Sequence, residues 1–209
     1  MVPDDQPQGA LHGEDACASR HDVSWLQRRR SVAVKRLGFP GPTDGELRDI
    51  LSAALSAPDH GALRPWRLVL CAPESRERLA EVFVAAKLAR HPDATAIEIE
   101  REREKALQPP VLLALIAAPK PGIEKIPEIE QIASAGAALQ SILLAAYGLG
   151  YGAIVLSGSR CAAENVRTAL GVGAGETLLG FISIGTIVDT PKLASRPSLS
   201  DVLRIYDGS

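Results

Sequence analysis

The sequence predicts a single α+β domain. Three observations carry that expectation. Helix-like and strand-like segments are mixed along the chain without a strict strand–helix–strand series. Two long helical patterns, residues 74–89 and 96–108, intervene between the first clear strand and the second, an order that favours α+β over a doubly wound parallel sheet. The composition, 46% hydrophobic and 23% charged, is that of a soluble globular chain.

At 209 residues the chain can bury one sizeable core. Aromatics make up only 4%, so that core must be mainly aliphatic. A formal net charge of −2 gives no general attraction to nucleic acid, and no nucleic-acid partner is expected. No internal repeat is visible.

Residues 1–22 are polar and lack the apolar run of a secretory leader, so they read as a flexible tail ahead of a single domain at 23–209. "SWLQRRRS" (24–31) reads as a short helix ending in a basic cluster. "TDGELRDILSAALSA" (43–57) is the clearest helix: Thr43 and Glu46 have capping-box spacing, and Leu47, Ile50, Leu51, Ala54 and Leu55 form one apolar stripe. Pro58 ends it. A strand follows at 65–72, then an amphipathic helix at 74–89. The helix at 96–108 is so polar that it reads as a solvated face.

Residues 110–118 are apolar at every position, as in a strand buried on both faces. Residues 128–150 form a long helix stopped by glycine, 152–157 a strand, 162–171 a short helix and 178–188 the last of about four strands. No charge occurs from Gln131 to Ser159. Gln140, Ser141 and the glycines at 148, 150 and 152 interrupt that stretch. It therefore reads as a central, fully buried helix plus a strand, and no membrane span is expected.

Cys17, Cys71 and Cys161 are odd in number and lack CxxC spacing, and no two of the four histidines have metal-ligand spacing. That argues against a disulfide framework or a zinc ribbon and suits a cytoplasmic chain with incidental thiols.

Arg28, Arg29, Arg30, Ser31, Lys35 and Arg36 crowd into nine positions. Guanidinium forks beside a hydroxyl suit a phosphate monoester, and a solubilising basic patch explains the same residues equally well. The glycines at 148, 150 and 152 follow a helix and precede a strand, the reverse of a dinucleotide-binding fingerprint. Ser157 and Gly158, just past a strand, are placed to offer backbone N–H groups to a ligand. No serine or cysteine sits in a nucleophile motif, so no hydrolase triad is expected.

In order, these pieces resemble the flavin-dependent nitroreductase family from about Trp25 to Val202. The likeness rests on "RRRSVAVKR", then "SAPDHGALRPWRLVL", then a buried helix followed by Gly-Tyr-Gly, a strand and Ser-Gly, and finally "GFISIGTIV" and "PKLASRPSLSDVL". The Pro-Asp-His loop is similar to that of the short bacterial branch.

The resemblance implies a mainly antiparallel sheet of four to five strands flanked by helices, in a homodimer with FMN at the interface. It implies reduction of a small-molecule acceptor, such as a nitroaromatic or a quinone, with NAD(P)H as co-substrate in a ping-pong cycle. Reduction of another electrophile such as an enone, and flavin binding without catalysis, are the alternatives. By motif position, Arg29, Arg30 and Ser31 would hold the FMN phosphate and ribityl chain, with Arg36 and Arg196 as further phosphate ligands. Pro58, Asp59 and His60 would pack on a flavin, from the partner subunit, with Trp66 anchoring their loop. Val155, Leu156, Ser157 and Gly158 would face the ring system, the Gly158 N–H bonding N5. This chain departs from the family pattern by two extra residues between Ser31 and Arg36, by Arg64 before Pro-Trp, and by Val155-Leu156 where the branch often has Trp-Arg.

Overall fold

The computed structural model describes residues 23–189 and 195–208; the expected tail at 1–22, with Cys17, lies outside them. In chain order the elements are α1 (Ser24–Arg28), β1 (Leu37–Gly38), α2 (Asp44–Ser52), β2 (Trp66–Leu70), α3 (Arg76–Arg90), α4 (Ala96–Leu107), β3 (Val111–Ala117), α5 (Glu128–Gly148), β4 (Gly152–Leu156), α6 (Glu164–Ala169) and β5 (Thr177–Ile187).

All five strands pair antiparallel. The order is β1-β5-β3-β2, with β4 also on β5. One strand more than the four sequence segments appears, because β1 has only two residues and no periodicity can reveal it. The sheet is the middle of three layers. Ile50, Leu113, Leu115, Ala138, Ile142, Ile182 and Ile184 join α2 and α5 to one face. Leu79, Phe83, Ala106, Leu112, Ala114, Ile116 and Phe181 join α3 and α4 to the other. Every residue of β3 is buried, as its unbroken apolar run requires.

The predicted capping box forms: Thr43 Oγ1 accepts from the Glu46 N–H while Glu46 accepts from the Thr43 N–H. The helix ends earlier than its stripe, tightening to a 3-10 turn at Ala53–Ser56 before Pro58. α5 stops where Gly150 takes φ +85°, closing the turn with Gly150 N–H to Tyr147 O at 3.0 Å and Tyr151 N–H to Ala146 O at 2.9 Å.

Two expectations need correction. α5 is not fully buried: one face, including Ala135, Ala138, Ile142 and Ala146, packs on the sheet, whereas Ile129 at its start is 73% exposed. Nor is α4 only a solvated face, because Lys87 of α3 pairs with its Glu98 at 3.1 Å and Arg103 pairs with Glu81 of α3. The joint at the end of α4 depends on Arg76, which is 6% exposed. Its guanidinium donates to the carbonyls of Cys71, Ala106, Pro109 and Pro110 at 2.8–3.3 Å. Cys71 and Cys161 are buried free thiols whose pKa values burial pushes up.

Candidate functional site

α1 ends at Arg28, three residues before the sequence pattern did, because Arg29 turns extended at φ −53°, ψ 133°. The chain then runs beside β4: Ser31 bridges Ala153 in parallel fashion, and the Val32 N–H bonds Ala153 O at 3.0 Å. Val32, 2% exposed, seals this contact. Arg29, Arg30 and the exposed Ser31 are thereby fixed along the start of β4.

Arg196 reaches the same place from the far end of the chain, donating to Arg29 O at 2.6 Å and Gln27 O at 3.3 Å. Arg30 donates to Gln27 O at 2.6 Å and Arg29 O at 3.1 Å, and its buried Nε has no partner among the described residues. Burial, then Arg196, then Arg30 lower the Arg29 pKa. Among the described residues no carboxylate pairs with any of the three. Three guanidiniums gathered without an acid among the described residues, one with a buried donor that none of them accepts, suit a phosphate dianion in charge and in donor type. An FMN phosphate fits this cradle. Arg36 stands apart from the cluster: its Nε is committed to Asp189 at 2.7 Å, where β1 meets the end of β5.

From Ala153, β4 carries the chain away at about 3.3 Å per residue, so Ser157 lies roughly 13 Å further on. Val155 packs against the α5-side core. Leu156 points to the opposite face of the sheet, by strand alternation, and is half-buried. Gly158 takes φ +95°, ψ −162°, a conformation open in practice to glycine alone. The N–H groups of Ser157 and Gly158 have no acceptor among the described residues, so both can donate to a ligand.

The Pro58–His60 loop is at the same end of the sheet as Ser157 and Gly158 but at the other edge. β2 and β4 are three strand steps apart, roughly 14 Å. Asp59 Oδ2 accepts from the Arg64 N–H at 2.6 Å, and His60 Nδ1 meets Glu130 Oε1 of α5 at 2.8 Å. Gly61, Ala62 and Arg64 all have positive φ, at 75°, 50° and 46°. For the two non-glycine residues this is strain held by the surroundings. Trp66 packs on the α5-side core, beneath the loop. Arg67 is structural: it grips Glu176 through two bonds, at 2.9 and 2.6 Å, and Gly171 O at 2.7 Å. That grip, and then the Gly173 N–H, hold the Glu176 carboxyl down at about 2.

The structure thus unites Arg29, Arg30, Ser31 and Arg196 near the start of β4, sets Val155 to Gly158 at its end, and leaves Pro58, Asp59 and His60 across the sheet. Sequence reading missed Glu130 and the buried Arg160–Glu102 pair. Nothing local marks Glu130. Arg160 had a signal, as the first charge after the uncharged stretch 131–159.

Comparison with known proteins gives a consistent result. The model of the "Nitroreductase family" matches residues 26–186. The Escherichia coli (strain K12) protein named "Putative NAD(P)H nitroreductase YdjA" is 33% identical over 175 residues, 84% of this chain and 91% of its own. A nitroreductase-like family protein from Bacillus cereus superposes with a TM-score of 0.74 at 22% identity, covering 92% of this chain and 100% of that one. A mutant of NfnB from sphigopyxis sp. strain HMH, described as an FMN and NADPH-dependent nitroreductase, gives 0.68 at 22% identity over 90% and 99% of the two chains. With the match spanning the basic cluster, the loop before β2 and the end of β4 alike, the chain belongs to the nitroreductase family.

Proposed function

We propose that the protein is an FMN-dependent, cytoplasmic oxidoreductase that uses NAD(P)H to reduce nitroaromatic or quinone-type acceptors. The observation that carries this reading is the cluster of Arg29, Arg30 and Arg196, with no acid and no acceptor for Arg30 Nε among the described residues. The names of the relatives, NAD(P)H nitroreductase for YdjA and FMN and NADPH-dependent for NfnB, supply the cofactor and the donor. Held there, FMN would supply the redox chemistry, two-electron transfer between NAD(P)H and an acceptor in alternating half-reactions.

The chain's own residues bind and orient. Arg29, Arg30, Ser31 and Arg196 hold the phosphate and ribityl chain, and the free N–H groups of Ser157 and Gly158 meet the ring edge. Such dipoles favour negative charge gathering on the ring. Arg36, already paired with Asp189, contributes at most a second layer of positive charge. Val155 and Leu156 put apolar side chains at that end of β4 itself, which favours neutral, flat acceptors over anionic ones.

The site is completed in a homodimer. Pro58, Asp59 and His60 lie too far across the sheet to close over a flavin held by their own chain, so the partner's copy of this loop does so. The uncovered face of α5 and the exposed Val202, Ile205 and Tyr206, at 76%, 85% and 88%, are apolar surface of the kind a partner covers.

An absorption spectrum of the purified protein, followed by anaerobic titration with NADH and NADPH, tests the reading. A yellow protein that releases FMN on denaturation and is bleached by a nicotinamide donor is expected. A colourless protein that takes up no added FMN overturns it, and a yellow protein that no donor reduces leaves only flavin binding.

A further inference from the structure

The turn after β4 is braced far more heavily than a surface turn requires. The Cys161 N–H closes it on Gly158 O at 2.9 Å, and Arg90, at the end of α3, holds Ser159 Oγ. Arg160 turns inward and is 6% exposed. It donates to Glu102 Oε2 of α4 at 2.8 Å. Its guanidinium lies 4.4 Å from the centre of the Phe83 ring and 5.6 Å from that of Phe181. Those two rings meet edge-on at 4.8 Å. Its Nε has no acceptor among the described residues.

As a stabilising device this is poor. A buried ion pair with an orphaned donor gains little over an apolar side chain of the same volume. As a positioning device it is good. The bond to Glu102 sets how deep the turn sits, and the two rings set the plane of the guanidinium. Two residues upstream, Gly158 is held in a conformation that few contacts of its own maintain. The geometry points to Arg160 as a positioning residue that, anchored by Glu102 and Phe83, fixes the direction in which the Gly158 N–H is presented to flavin N5. The inference rests on the proposed flavin-facing role of that turn. Arg160 itself touches no ligand, since its guanidinium is buried on the α3–α4 side.

The test compares FMN with 5-deaza-FMN, in which a C–H replaces the N5 acceptor, binding each to the full-length protein and reading flavin fluorescence. The wild type should bind FMN about two- to tenfold more tightly, the net range of one hydrogen bond. Arg160→Lys keeps the charge but loses the planar fork and the ring stacking. In that variant the preference should fall to near one, with 5-deaza-FMN affinity unchanged, a pattern that loss of general stability does not produce. An Arg160→Lys protein with the wild-type ratio overturns the positioning role while leaving the turn's place at the flavin intact. A wild type that binds both flavins equally overturns the flavin-facing turn, and the inference with it. Should Arg160→Lys not fold, Phe83→Leu, which removes one stacking ring, is read in the same way and against the same two outcomes.

Discussion

Arg76 lies where the end of β2, the start of α3 and the end of α4 converge, with four backbone carbonyls around its guanidinium. Arg29 lies beside β4 with two other arginines near it and, among the described residues, no carboxylate paired with it. Burial lowers both pKa values. What differs is what answers the charge. At Arg76 the fold supplies every partner, so the residue belongs to the architecture. At Arg29 the fold supplies more positive charge, which disfavours the folded chain unless an anion arrives. The comparison teaches that a cation whose partners are missing among the described residues points to a ligand more clearly than a cation that is merely conspicuous in the sequence.

Removing each arginine should therefore break the molecule in a different way, and the largest effect belongs to Arg76. Arg76→Met should cost about 3–5 kcal/mol of stability, the range for removing one member of a buried charged network, because the carbonyls it serves lose their donor. Urea titration measures this, and FMN affinity of the protein that remains folded should be unchanged. Arg29→Ala should do the reverse. The protein without flavin should melt at the wild-type temperature or slightly above it, because repulsion from Arg196 and Arg30 is relieved. FMN binding should weaken by about 1.5–3 kcal/mol, the range of one charge-assisted bond, read by flavin fluorescence titration.

Arg67 is an intermediate case, answered by a carboxylate inside the chain. The folded Glu176 carboxyl sits at about 2, below its ordinary 4.5. A depressed carboxylate stabilises the fold above pH 4.5, and that contribution is lost as pH falls from 4.5 toward 2. Melting temperature followed over that window should drop less steeply for Glu176→Gln than for the wild type; parallel curves would show that the pair is too exposed to matter. Arg101, exposed on α4, is the fourth case. Arg101→Ala should change stability by less than about 0.5 kcal/mol and leave FMN affinity alone, which makes it the control against which the others are read.

These arginines also show how much could be read from the sequence. Arg29, Arg30 and Ser31 were legible because they are adjacent, and adjacency survives folding. Arg196 became legible only through the family resemblance, since 165 residues separate it from Ser31 and only the fold brings them together. Arg76 was illegible because its partners are carbonyls, which every residue carries. Glu102 was hidden inside a charge run that reads as solvent-facing, although its partner Arg160 lies beneath it. The long elements followed from hydrophobic period and capping residues, as at Thr43. β1 did not, because a two-residue strand is created by its pairing with Ile187 and Thr186, not by its own pattern. The outer face of α5 reads as core for a similar reason: it carries no charge from Gln131 onward, and lack of charge alone does not tell a packed face from an open one.

The placement of the two tryptophans has an optical consequence. Trp66 is wedged against the aliphatic core. Trp25, on α1, lies nearly parallel to Tyr147, 6.3 Å away with 6° between the rings, and 36% of it faces solvent. Arg29 follows Trp25 by four positions. The chain therefore carries one emitter near its basic cluster and a second, partly buried one packed on the core. Red-edge emission and strong iodide quenching would follow Trp25, while a bluer, less quenched component would follow Trp66. Energy transfer to a yellow acceptor would dim the two unequally, turning unlabelled protein into a gauge of how far along β4 the chromophore sits.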